Sequence, residues 1–213
     1  MEWGWLPRYK AKPEFQDEFE NIYLEIDEQP EGQEKVLPQR LEEIAISPYE
    51  TLSAPRVGRD AEADAWVAEH FPKRKKSWLS FGSSDPDYGG RFVLDLVPPC
   101  DGLPPPEYSG GEFGHYVDAF AFRASLLEDC SDVIDEDLVI EGMVPMEVPE
   151  LLEYGKRLRQ AAETCAAEHG IDLGAPLDTE DYDSVEGQLD VVIAAARWCI
   201  FWAERGHALE KYV

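Results

Sequence analysis

Apolar residues recur at steps of three and four from Ser184 to Arg205. Val185, Leu189, Val192, Ile193, Ala196, Cys199, Ile200 and Ala203 form one stripe, and Trp198, Phe201 and Trp202 carry it almost all the way round. A helix that is apolar on most sides must be buried on most sides, so this segment is expected to be the core helix. Asp183 with Glu186 three residues later reads as a capping box, Arg205 suits the negative end of the helix dipole, and Gly206 supplies a left-handed stop.

The same periodicity marks further helices. Phe15, Phe19, Ile22, Tyr23 and Ile26 follow Pro13 at helical spacing, and a short helix is expected from Pro38 to Ile46 with Leu41, Ile44 and Ala45 inward. Asp60 opens a segment with Ala63, Trp66 and Val67 on its inner stripe, which Pro72 stops. Ala119 to Ile134 reads as helical through Phe122, Leu126, Leu127, Cys130, Val133 and Ile134. Pro149 opens a long helix through Leu151, Tyr154, Leu158, Ala162, Cys165 and His169 that closes at Gly170.

Residues 47–59 carry Pro48, Pro55 and Gly58 and read as an ordered loop, because Tyr49, Leu52 and Val57 still need burial. The strand signals are Trp78, Leu79 and Phe81, then Arg91 to Val97, joined by a Ser-, Asp- and Gly-rich turn, with Tyr116 to Phe122 as a candidate third strand. Trp3, Trp5 and Tyr9 make the first residues too aromatic for a loose tail. The expected fold is a single α+β domain over residues 1–213, mostly helical. About six helices surround the buried C-terminal helix, a small antiparallel sheet rests on the 77–97 hairpin, and a mixed strand and loop half gives way to a helical half near residue 118.

The chain of 213 residues buries roughly 70% of its extended surface, enough that neither metal nor disulfide is needed to hold it. No stretch approaches the ~18 continuous apolar residues of a membrane span. The residues Met1 to Trp5 lack the basic-then-apolar pattern of a secretory signal, so a soluble cytoplasmic protein is expected. Cys100, Cys130, Cys165 and Cys199 include no CxxC pair and no histidine at ligand spacing. They read as small buried hydrophobes in a reducing compartment, with two disulfides as the alternative.

Charge changes this picture most. Against 19 basic residues stand 45 acids, a formal net charge of −26, with seven acids and no base in Glu128 to Glu141 and again in Asp172 to Asp190. That field repels nucleic acid and anionic lipid and attracts basic proteins and cations. Lys73-Arg74-Lys75-Lys76 forms a basic cluster that most simply pairs with the chain's own carboxylates.

Reactive side chains gather in the Pro- and Gly-dense stretch from Cys100 to Asp118. There Cys100, His115 and Asp118 are the candidates for nucleophilic chemistry, and Asp101, Glu112, His115 and Asp118 for binding a divalent cation. Asp101 beside Cys100 opposes a thiolate, and no EF-hand or HExxH spacing supports a metal. The Ser109 to Gly114 run lacks the Lys or Arg of a phosphate cradle. His70 and His169 read as core-edge side chains, and His207 is expected to interact with the preceding helix C-terminus. No cofactor is expected. The leading expectation is therefore a non-enzymatic acidic protein that binds another protein, a basic one fitting the field, and inhibitor-like roles against a basic toxin or nucleic-acid enzyme fit that physics. A hydrolase-type enzyme with its site in the 100–118 loop is one alternative. A salt-adapted protein whose acidity serves no partner is the other. Oligomeric state is not legible.

Overall fold

The computed structural model describes residues 3–27, 39–71, 88–109, 120–177, 179 and 181–212. The chain begins with β1 (Gly4–Pro7) and β2 (Lys10–Ala11), then a 3-10 turn at Pro13–Phe15 that runs into α1 (Gln16–Asp27). α2 (Gln39–Ile44), β3 (Ala45–Ile46), α3 (Pro48–Leu52) and α4 (Ala61–His70) follow. After 3-10 turns at Leu94–Leu96, Pro106–Tyr108 and Ala124–Asp129 come α5 (Glu136–Gly142), α6 (Val148–His169), α7 (Val185–Glu204) and β4 (Leu209–Tyr212). The architecture is α+β and mostly helical, with seven α-helices among the described residues, six besides the C-terminal α7.

α6 and α7 form the frame. Pro149 and a Glu147–Glu150 capping box start α6, and Gly170 ends it at φ 69°. Ser184, rather than Asp183, caps α7, its Oγ accepting from the Gly187 amide at 3.1 Å. The two helices run antiparallel, with Gly155 near the start of α6 against Cys199 and Ile200 near the end of α7. The stripe read from sequence is the buried one: Leu189, Val192, Ala196, Trp198, Cys199 and Trp202 are all essentially inaccessible.

Trp5 fills the space above this pair. Its ring lies 5.3 Å from Phe122, 5.6 Å from Trp198 and 5.9 Å from Tyr154, and its Nε1 donates to the Gly142 carbonyl at 2.8 Å. Trp198 Nε1 donates to the Phe120 carbonyl and Trp202 Nε1 to that of Gly102, so three buried indoles reach two loops and the end of α5. Two smaller apolar clusters lie outside the main core, one around Phe19, Leu41 and Ile44 and one around Ala63, Trp66 and Val93.

Several elements differ from the sequence expectation. The sheets come from elsewhere: β1 pairs antiparallel with β4, Gly4 facing Tyr212, and β2 pairs with β3. The Trp78 to Phe81 half of the expected hairpin lies outside the described residues. The Arg91 to Val97 half makes an isolated bridge from Phe92 to Arg56 and then a 3-10 turn. Val93 and Leu94 are both fully buried, and two consecutive inward residues break the period of two that a strand requires.

Ala119 lies outside the described residues, and from Ala124 the expected helix is a 3-10 turn only. The Phe122, Arg123 and Ser125 amides donate to Trp5, Tyr108 and Trp3 carbonyls, so tertiary partners take the donors an α ladder would use. Residues 47–59 contain α3, whose Ser47–Glu50 capping box and Pro48 were readable signals.

His207 departs most from expectation. Its backbone amide does reach the Trp202 carbonyl, but its ring is fully buried, edge-on to Trp202. Nδ1 lies 2.7 Å from the Arg8 carbonyl and Nε2 2.7 Å from Thr51 Oγ1. A carbonyl only accepts, so Nδ1 carries the proton and Nε2 accepts from the threonine. The imidazole thereby joins the β1–β2 segment, α3 and the approach to β4.

Gly155→Ala gains about 1 kcal/mol of helix propensity. Its Cβ, however, would meet Cys199 Cβ at 2.8 Å and Ile200 Cγ1 at 2.9 Å. The expected net loss in urea unfolding is about 1–2 kcal/mol, and a gain in stability would contradict the tight helix contact. Burial pushes His207 down to about 4, Lys10 acting the same way against the upward pull of the Arg8 carbonyl. With its folded value below the unfolded one, stability is complete above about pH 6.5 and is lost as pH falls toward 4. The loss is about 3 kcal/mol. Unfolding curves of wild type and His207→Gln should therefore converge over that window, and parallel curves would show that the imidazole is not buried neutral.

Candidate functional site

Two depressions lie on either side of the α6–α7 pair. The first is a cavity of about 550 Å³ between α7 and the segment from Leu94 to Pro105. α7 contributes Asp190, Ala194 and Arg197 to one wall, spaced at i, i+4 and i+7 so that they share a face. The opposing wall mixes apolar Leu94, Val97, Leu103 and three prolines with Asp95, Cys100 and Asp101. That wall is held in place by the Trp202 bond to Gly102, where a Cβ would strike the Phe201 ring, so glycine is what lets the segment approach the helix.

Sequence reasoning placed its candidates at Cys100, Asp101, Glu112, His115 and Asp118. Cys100 and Asp101 both line this cavity. Glu112, His115 and Asp118 lie outside the described residues. Cys100 is half-buried, whereas Cys130, Cys165 and Cys199 are buried and all four are free thiols. Burial pushes Cys130 up to about 12 and Cys199 and Cys165 upward as well, which makes those three poor nucleophiles. Asp190 was missed, although an acid inside an otherwise apolar run was a visible signal. The Tyr108 hydroxyl donates to its Oδ2 at 2.7 Å. Burial and Asp190 together drive the Tyr108 phenol far above its usual range, so that it remains a donor.

The second depression is a groove of about 590 Å³ between α5 and α6. Asp132, Asp135, Asp137, Glu141 and Glu168 line it, against the single lining guanidinium of Arg157, which is itself paired with Glu141. Four of these acids belong to the Glu128 to Glu141 run. The local physics explains their density: Asp135 caps α5 through Leu138 N at 2.9 Å, and Glu136 and Asp137 occupy the first turn, where carboxylates suit the positive helix end. Asp132 is fixed by buried Gln188, which accepts from its amide at 3.0 Å and donates to its Oδ2 at 3.1 Å. Glu168 and Arg157 come from α6 and were not paired with the acidic run by sequence. Ile140 in α5 and Val144 just after its end are 53% and 52% exposed, among the most exposed large apolar side chains described.

His70 stacks on Trp66 and His169 bonds back to the Cys165 carbonyl at 2.9 Å, so both sit at helix edges. Among the described residues no three His, Cys, Asp or Glu side chains converge as a metal set, and no helix is long and apolar enough to cross a membrane. No protein-family model, curated protein or solved structure matches the chain.

The burial pattern predicts thiol behaviour. A chromogenic disulfide should titrate one thiol, Cys100, rapidly in the native protein and all four in denaturant. Two or more fast native thiols would contradict the packing around α6 and α7.

Proposed function

We propose that the protein is a non-enzymatic binding protein whose α5–α6 groove receives a basic segment of another protein. The observation that carries this reading is the concentration of five carboxylates in one groove beside the exposed Ile140 and Val144. Ile140 follows Asp137 by three positions and Glu136 by four, so apolar and acidic groups are neighbours on the α5 surface. A segment with basic side chains flanking an apolar centre would satisfy both. Charge would steer the encounter, and burial of the apolar pair would lend contact area that salt does not screen.

A uniformly acidic coat, as salt adaptation would produce, calls for neither a groove nor adjacent apolar exposure. Four free thiols support a reducing, cytoplasmic setting. The field of a chain carrying −26 disfavours nucleic acid and anionic membranes as partners.

The reading is tested by using three baits to capture proteins from the native host's lysate under rising salt. The baits are the wild type, a groove variant (Asp135→Asn, Asp137→Asn, Glu168→Gln) and a remote variant with equal charge change (Glu14→Gln, Asp17→Asn, Glu62→Gln). Asparagine keeps the α5 cap. One species retained by wild type and remote variant, and reduced about tenfold with the groove variant, is expected. Equal retention by all three, or no retained species, would remove the groove as a docking site.

A further inference from the structure

The cavity between α7 and the 94–105 segment has features of its own that protein docking at α5–α6 does not use. Its volume, about 550 Å³, lies within the range of small-molecule pockets, roughly 300–1,000 Å³. Its walls set apolar side chains beside charged ones, Asp95, Asp101, Asp190 and Arg197, at defined places. The prolines at 99, 104 and 105 bring rigid backbone with no N–H, so that wall presents few donors of its own.

Its polarity is directional. Asp190 is half-buried at one end of the α7 wall, and Arg197 lies seven residues further on, about 10 Å along the helix. Ala194 stands between them and leaves the space open. Tyr108 fixes Asp190 Oδ2, and no donor among the described residues bonds Oδ1. A half-buried carboxylate with one donor has capacity for another. Asp95, whose Oδ2 accepts from Trp66 Nε1 at 2.8 Å, and Asp101 add negative charge around the cavity, against the single cation of Arg197 among its lining residues.

We infer that this cavity is a binding site for an organic cation on an apolar body, an alkylguanidinium or alkylammonium group seated on Asp190 with its hydrocarbon against Leu103, Pro104 and Ala194. Arg197 repels a cation from the far end and so sets the ligand's direction. The same chemistry could arrive as a free small molecule or as an arginine or lysine side chain of a protein. The inference does not depend on the α5–α6 docking site, which uses different residues.

Cys100 lines the cavity and is the least buried of the four thiols, which makes it a local reporter. The experiment measures iodoacetamide alkylation of Cys100 in the native full chain, by mass spectrometry, at constant ionic strength. The probes are n-butylguanidinium, its uncharged isostere n-butylurea, and N-acetylarginine N-methylamide. Saturable protection by butylguanidinium identifies a free cation as ligand. Protection by the arginine derivative alone identifies a protein side chain, and either supports the site.

Butylurea should not protect. Asp190→Asn, which retains an oxygen for the Tyr108 hydroxyl, should raise the half-protecting concentration about tenfold or more. Ala194→Leu, which fills the cavity without touching a charge, should abolish protection, and circular dichroism confirms that each variant is folded. The groove variant should protect as wild type does. Absence of saturable protection up to about 10 mM of either cation, or equal protection by butylurea, would overturn the assignment.

Discussion

Three buried indole N–H groups constrain the rest of the molecule. Trp5, Trp198 and Trp202 are each fully inaccessible, and a buried donor left unpaired costs about 1–3 kcal/mol. Each finds a backbone carbonyl, that of Gly142 at the end of α5 and those of Phe120 and Gly102 in connecting segments. A helix interior would have consumed those acceptors, whereas loops and the last turn of a helix leave carbonyls free. The segments at Phe120 and Gly102 are therefore ordered by α7, and Trp198 and Trp202 of α7 are satisfied by them. Both depressions are bounded by segments anchored in this way: Gly102 lies between Asp101 and Leu103 of the α7 cavity wall, and Gly142 ends the helix that forms one bank of the acidic groove.

The ends of the chain close the same frame. β1 and β4 pair over Gly4 to Pro7 and Leu209 to Tyr212, and His207 ties the Arg8 carbonyl to Thr51 beneath them. Gly4 has no room for a Cβ against the Tyr212 ring and the Phe122 carbonyl, so the strand can lie this close only there. Burying a neutral histidine at this junction makes the closure of the termini depend on pH in a direction opposite to the relief of carboxylate repulsion on acidification.

Acidity serves two purposes in this chain. Asp135, Glu50 and Glu150 complete helix starts, and the acids of the first turn of α5 suit its dipole. Those are local roles that any helix start can offer. The groove differs because a run that is adjacent in sequence meets Glu168 from a helix about 30 residues away, so that charges spread along the chain are concentrated in one place. A charge count cannot separate these two uses, since it carries no distances.

The amino-acid pattern laid down the helices with strong 3.6 periodicity and clear punctuation, above all α6 from Pro149 to Gly170 and α7 up to Gly206. It also determined which of their faces are buried. Those features are local: amphipathic stripe, cap and stop lie within one segment. It named Cys100 and Asp101, two lining residues of a cavity, from the clustering of reactive types and of proline and glycine. Tertiary structure alone decided that the sheet joins the two chain ends, that 122–134 turns rather than forming an α-helix, and that His207 is a buried clasp. It alone placed Asp190 and Arg197 opposite the 94–105 segment and Glu168 opposite the acidic run. Each of these depends on a backbone group, ring or charge whose partner lies far away in sequence. Such pairings arise when packing brings the segments together, and neither periodicity nor composition records them.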